Sequence, residues 1–361
     1  MSEHFIVPNT AQRAIIDDDI CEVISTDLPW SHFDDATILV TGANGFLPAY
    51  MVETLLQLVD RKIVRNARVL ALVRSLGKAK ARFQRWLASP ALVFLEQDVS
   101  APLGWSGPID FVIHAASQAS PKYYGTDPIG TALPNVVGTA TLLDAAARRG
   151  CRRFLYFSSS EVYGITARET GDISEVDFGP LDPTVLRSVY AESKRMGESL
   201  CTAYHHQTQL KTVIVRPFHT YGPGMAMDDG RVFADLVRDV VLGRDIVLNS
   251  AGTAERAFCY LRDATAGIFT VLLTGQSPTA YNVGNPAASS SILELAQLLA
   301  RISEKTITVK VNSSVASGYI ASRVERVVPD INRLLNLGWQ PKTSLSTGFT
   351  RTVSYYCAGD R

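Results

Sequence analysis

The feature that most restricts what this chain can become is a five-residue apolar run that ends in a loop with two glycines. Thr37-Ile-Leu-Val-Thr41 carries no charge and is too short for a buried helix, so it reads as a strand covered on both faces. It leads straight into Gly42-Ala-Asn-Gly-Phe-Leu-Pro48, and the segment from Tyr50 to Leu58 beyond it has the spacing of an amphipathic helix. Five further runs repeat the theme: RVLALV from 68, LVFLEQDV from 92, DFVIHAA from 110, RFLYFSS from 153 and TVIVRP from 212. Between the fourth and fifth runs, 136–149 reads as a helix with basic residues in its last turn and Gly150 as its stop. Strands alternating with helices in this way specify an α/β fold, a Rossmann-type doubly wound parallel sheet, here of six strands. Past residue 220 the regularity weakens into loops and a helix over 291–302, the pattern of a smaller C-terminal lobe. Residues 1–35 carry Asp17 to Asp19 and no long periodic segment, and are expected to form a partly helical N-terminal extension.

Composition narrows the function classes. Lys plus Arg number 35, as do Asp plus Glu, so the formal net charge is zero and nucleic acid is not an expected partner. The five cysteines are widely spaced and form no C-x-x-C pair, which predicts neither a disulfide framework nor a metal site and points to a reducing cytoplasm. No apolar stretch reaches the length of a membrane span, and MSEHFIVPNT lacks the basic start and apolar run of a signal peptide.

The glycine loop has a chemical purpose. Glycines there let the backbone approach a pyrophosphate, and the helix that follows aims free N–H groups at its charge, so Gly42, Asn44, Gly45, Phe46 and Leu47 are candidate cofactor contacts. Pro48 stands where a third glycine is expected, a first-turn position where the missing N–H is not needed. The second strand ends in Arg74 rather than the acid that hydrogen-bonds an NAD ribose, which leaves NADP open beside NAD. Asp98, with Val99, is a candidate for the adenine amino group.

Tyr190 and Lys194 lie four residues apart in a segment with helical spacing, which puts both on one face. A nearby ammonium favours the phenolate of a tyrosine that is otherwise a poor base at neutral pH. Some thirty residues upstream, Ser158-Ser-Ser-Glu-Val-Tyr-Gly164 follows the fifth strand, at the end where such sheets bind ligands.

TGxxGF at 41–46, HAA at 114–116, SSSEVYG, YxxxK and RPFHTYGPG at 216–224, in this order, resemble the extended short-chain dehydrogenase/reductases of the NAD-dependent epimerase/dehydratase family, which modify nucleotide sugars. The resemblance spans about 36–345 and is closest to the UDP-glucuronate decarboxylases, the UDP-xylose synthases. Four patches carry that refinement: ASPKYYGTDPIGTALPN at 119–135, MAMDDGRV at 225–232, ERAFCYLRD at 255–263, and RVVPDINR at 326–333 with LGWQP at 337–341.

The resemblance implies NAD as cofactor, with Ala115 beside it, and a UDP-sugar or other sugar nucleotide as substrate. It implies Tyr190 as base, Ser159 aligning the substrate, Lys194 on the nicotinamide ribose and Glu161 taking part in protonation. Ser120, Tyr124, Asn135, Arg187, His219, Arg231, Arg256 and Arg326 would bind the sugar nucleotide, the arginines through charge-assisted hydrogen bonds. It also implies a homodimer, a cofactor domain over 36–220 with returning segments near 255–285, and a sugar-nucleotide lobe over most of 221–361. Dehydratases of the family carry Asp-Glu where this chain has Ser160-Glu161, and losing that acid favours decarboxylation or epimerisation. Simple 4-epimerases usually lack the glutamate, which favours the decarboxylase. A 4-epimerase, a 4,6-dehydratase and a dinucleotide sensor without turnover stay open, and His219, where the family commonly has Asn, marks divergence.

Overall fold

The computed structural model describes residues 7–165, 171–312 and 325–359. Each of the six apolar runs is a strand: β1 (Thr37–Thr41), β2 (Arg68–Val73), β3 (Leu92–Glu96), β4 (Phe111–His114), β5 (Arg153–Phe157) and β6 (Thr212–Pro217). Past β6 come the short strands β7 (Thr220–Tyr221), β8 (Ile246–Leu248), β9 (Glu255–Ala257) and β10 (Cys259–Tyr260), and then β11 (Thr279–Val283). β11 pairs in parallel with β6, so the sheet has seven strands rather than six, in the order β11-β6-β5-β4-β1-β2-β3. The seventh escapes a search for apolar runs because its buried Asn282 breaks the pattern. That side chain is satisfied by the carbonyls of Ile173 and Asp330 and by the Tyr163 hydroxyl.

The strand order reverses between β1 and β4, which pair through Thr41 and His114. A crevice opens beyond the carboxyl ends of these two strands, and in doubly wound sheets that is where ligands bind. The crossovers are α2 (Phe46–Asp60), α3 (Leu76–Arg82), the short α4 (Lys122–Thr126) and α5 (Pro128–Leu133), α6 (Thr139–Arg148) and α7 (Val189–Thr208). α2 begins at Phe46, four residues before the expected start, with Gly45 as its N-cap and Pro48 buried in its first turn. One wide π turn over Pro134–Gly138 joins α5 to α6.

Beyond β7, α8 (Val232–Leu242) and α10 (Ile292–Ile302) pack with the C-terminal α12 (Leu345–Gly359) around Tyr221, Phe233, Phe258 and Phe349. Tyr221 and Phe349 stack at 3.9 Å between ring centroids. α9 (Leu261–Thr274) packs against the sheet in its main core and is buried over nearly its whole length.

The N-terminal stretch is a full helix, α1 (Thr10–Ile24), opened by a capping box between Asn9 and Gln12. It buries Ile16, Ile20, Val23 and also Asp19, which is wholly enclosed. Asp19 accepts hydrogen bonds from the Tyr260 hydroxyl at 2.7 Å and from Arg351 of α12 at 2.8 Å. Burial pushes its carboxyl up to about 6 against the opposing pull of those two partners. Among the described residues no helix is long and apolar enough to cross a membrane, and no group of three or more side chains is arranged to hold a metal ion.

Candidate active site

A single cavity of about 1540 Å³ runs from the glycine loop across the sheet ends to Arg231 and Arg256. Pockets for one small ligand occupy roughly 300–1,000 Å³, so this one has room for two nucleotide-sized molecules end to end. On its first side lie all the expected cofactor contacts: Gly42, Asn44, Gly45, Phe46, Leu47, Arg74, Asp98, Val99 and Ala115. Gly42 has φ +62, and a Cβ there would meet the Ala116 Cα at 2.9 Å, so only glycine keeps this wall open. The first N–H groups of α2 have no side-chain cap and face the same loop.

A chain of hydrogen bonds sets the far end of β4. Thr41 Oγ1 accepts the N–H groups of Ala115 and Ala116 and donates to Nδ1 of His114 at 2.8 Å. Nε2 of His114 in turn donates to Thr139, whose hydroxyl donates to the Asn135 carbonyl. Burial drives the His114 imidazole down to about 3, so it stays neutral and serves as a structural link. Ser117 Oγ, Gln118 Oε1 and Ser158 Oγ are buried in residues that line the cavity, and none has a partner within the chain. Buried polar atoms without partners call for a polar ligand, and together with the glycine cradle and the uncapped helix they fit a dinucleotide.

In the middle of the cavity stand Ser159, Glu161, Tyr190 and Lys194. α7 can approach β5 because residue 197 is glycine: a Cβ there would lie 2.1 Å from the Tyr156 hydroxyl. That approach lets Lys194 Nζ donate to the Phe157 carbonyl at 2.6 Å, with the ammonium 5.8 Å from the Tyr190 ring centre. Burial lowers the Lys194 ammonium to about 7, with Glu198 opposing. The Tyr190 hydroxyl is pushed up to about 12, first by burial and then by Glu161, while a hydrogen bond with Ser159 and the charges of Arg231 and Arg187 pull it down. Ser159 Oγ also accepts the N–H of Glu161 at 3.2 Å, which fixes the turn carrying that carboxylate.

Tyr124, Arg187, His219, Arg231 and Arg256 line the second side. Arg187 pairs with Glu161 at 2.9 Å, and Arg231 with Asp229 at 2.8 Å. Arg256 is held by the carbonyls of Glu255 and Glu325. His219 stands near the rings of Phe233 and Phe258, and burial together with Arg256 and Arg231 drives it down to about 3.

Three expected substrate contacts lie off the cavity wall. Ser120 donates to the Asp229 carbonyl and ties two loops together. Asn135 is fully buried and donates to the Thr131 carbonyl and to Ser193 of α7, so it braces the catalytic helix. Arg326 is spent on Asp172, Glu255 and the Gly171 carbonyl, and its neighbour Val327 faces the cavity instead. Conversely, sequence reasoning passed over Ser117 and Gln118. Their signal was position, directly after a strand at the reversal of strand order.

Residues 38–284 match the NAD dependent epimerase/dehydratase family. UDP-glucuronic acid decarboxylase 6 of Arabidopsis thaliana is 32% identical over 86% of this chain and 86% of its own length. UDP-glucuronic acid decarboxylase 1 of Xenopus tropicalis is 31% identical over 90% of this chain and 73% of its own. Among solved structures, the UDP-glucuronic acid 4-epimerase of Bacillus cereus, in complex with UDP-glucuronic acid and NAD, superposes with a TM-score of 0.73 at 26% identity, over 89% of this chain and 98% of that one. The match to the family over 38–284 spans more than half of the chain, and the chain belongs to the NAD dependent epimerase/dehydratase family.

Proposed function

We propose that the chain decarboxylates UDP-glucuronate, using NAD, through a ketone at C4 of the sugar. The observation that carries this reading is the meeting of Ser159, Glu161, Tyr190 and Lys194 midway along a cavity with a glycine cradle at one end and Arg231 and Arg256 at the other. Bound NAD supplies the hydride acceptor. Tyr190, as phenolate, takes the proton of the C4 hydroxyl, and Ser159 holds that hydroxyl beside it. Lys194 lies close enough to favour the phenolate electrostatically. The resulting 4-ketone makes the C5 carboxylate a β-keto acid, which loses CO₂ to leave an enolate. Glu161, which lines the cavity with Tyr190, manages the proton that C5 then receives.

Arg231 and Arg256 bind the diphosphate, and Arg187 faces the sugar. Arg74 at the end of β2 also accommodates a 2′-phosphate, so NADP is a second cofactor to test. The division of labour follows the sheet: 36–220 with the return near 255–285, which leads into β11, holds the dinucleotide, and most of 221–361 holds the sugar nucleotide. Two chains associate through α5 with the π turn that follows it and through α7, a reading supported by the exposed Ile129, Leu133, Val137 and Met196. Among the described residues no disulfide joins the cysteines, which supports a reducing, cytoplasmic setting.

The test is incubation with UDP-glucuronate, with and without added NAD, followed by mass spectrometry and CO₂ capture. UDP-xylose or its 4-keto relative is the expected product. An unchanged mass with inverted C4 would establish the 4-epimerase, and no change in either would move the search to other sugar nucleotides.

A further inference from the structure

We propose that Tyr124 is a positioning residue for Tyr190, and that the Glu161–Arg187 ion pair acts on the catalytic phenol through the Tyr124 ring. The inference rests on the reaction proposed above. Three segments deliver the parts: α4 carries Tyr124, the turn after β5 carries Glu161, and the continuous stretch from Leu186 into the first turn of α7 carries Arg187 and Tyr190. The Tyr124 and Tyr190 rings stack with centroids 4.8 Å apart and planes 17° from parallel. The Arg187 guanidinium carbon lies 4.7 Å from the Tyr124 ring centre, and Glu161 holds Arg187 at 2.9 Å.

The Tyr124 hydroxyl is engaged within the chain. That group donates to the Ala119 carbonyl at 3.1 Å, within its own loop. The loop is anchored in turn by Ser120 on the Asp229 carbonyl and by Lys122 on Asp228 at 3.1 Å. What Tyr124 offers the centre of the cavity is therefore the face of its ring.

Two effects follow. A stacked neighbour restrains rotation of the Tyr190 ring and keeps its oxygen beside Ser159. A cation on Tyr124 draws electron density from the ring, so that the stacked phenol is held more readily as phenolate than beside an aliphatic side chain. Around Tyr190 the charged and titratable groups are Lys194 from its own helix, Glu161 from the turn after β5, Arg187, Arg231 from the loop before α8, and the rings of Tyr124 and Tyr156. Only Tyr124 among these lies stacked on the phenol, so its removal reads out separately from the others.

The experiment uses the NAD-loaded chain with Tyr124→Phe, Tyr124→Leu and Arg187→Met. The first readout is kcat and KM for UDP-glucuronate across pH. The second is ¹³C NMR of protein labelled at tyrosine Cζ, with the Tyr190 signal assigned by its loss in Tyr190→Phe. Tyr124→Phe keeps the stacked ring and should keep the Tyr190 ionisation of the parent, a rescue that Tyr124→Leu lacks. Tyr124→Leu should lower kcat about tenfold with KM within about twofold. It should also move Tyr190 ionisation about one unit to higher pH, and Arg187→Met should shift it the same way by less. A raised KM with kcat kept, or a Tyr190 ionisation unmoved by both variants, would overturn the proposal. Because Arg187 also acts on Tyr190 directly, Tyr124→Met, which fills the space without a ring, is held to the same two readouts if Tyr124→Leu does not fold. If the parent chain leaves UDP-glucuronate untouched, the reaction reading fails, and the Tyr190 signal still decides this inference on its own.

Discussion

The two ends of the cavity are built from different material. At the glycine-loop end backbone forms part of the wall: Gly42, Gly45, the start of α2 and the strand end at Ala115. At the opposite end it is long side chains, Arg187, Arg231 and Arg256, reaching in from turns and from the short β9. A backbone wall is fixed by the sheet itself, so substitution there should break shape. A wall of side chains is fixed by its partners, so substitution there should change affinity and leave the sheet alone.

The largest effect should fall between the two ends. Tyr190→Phe removes the proton acceptor while keeping the ring, and CO₂ release should drop about 10³-fold, near 4 kcal/mol, with both nucleotides still bound in calorimetry. Undiminished release would remove Tyr190 from the chemistry. Next comes Gly42→Val, which sets a branched side chain at φ +62 against the Ala116 backbone. Dinucleotide affinity should fall about a hundredfold, near 3 kcal/mol, and affinity for the sugar nucleotide should hold within about threefold. If both fall together, the two ends are not separate.

Arg256→Leu is the mirror experiment. UDP affinity should weaken about thirtyfold, near 2 kcal/mol, and dinucleotide affinity should stay. A dinucleotide-side loss would put Arg256 in the wrong half. Smaller again is a pH effect from Lys194, whose ammonium titrates near 7 when folded against about 10.4 when unfolded. Between those values the unfolded chain holds one more proton, so stability should climb with pH by up to about 1.4 kcal/mol per unit. Lys194→Met should flatten that slope in denaturant titrations from pH 7 to 10, and an unchanged slope would refute the assignment. The smallest effect belongs to Arg326→Gln. Because Asp172 and Glu255 already occupy this guanidinium, KM should move by less than about threefold, near 0.7 kcal/mol. A larger rise would return Arg326 to the substrate.

The same contrast explains what could be read from the sequence. Six strands of the sheet are apolar runs, and the glycine loop and Tyr190/Lys194 depend on local spacing that a string of letters preserves. The cavity side of Arg326, Ser120 and Asn135 depends on where Asp172, Asp229 and Ser193 arrive in space, and spacing holds no record of that. α1 was harder for a different reason. Asn9 and Gln12 spell a capping box and Ile16, Ile20 and Val23 share a face, but Asp19 on that same face reads as solvent-facing until Tyr260 and Arg351 are seen to meet it.

That meeting also dictates a timetable. Arg351 follows Asp19 by 332 residues, so on a ribosome adding about 5–20 residues per second α1 waits roughly 20–60 s for its counter-charge. Through that interval the nascent chain holds an acid in the middle of an apolar stripe, hydrated and without the helix that will cover it. Closure over Asp19 thus waits until α12 has emerged, and a chain truncated before α12 would keep its sheet residues and lose the clasp.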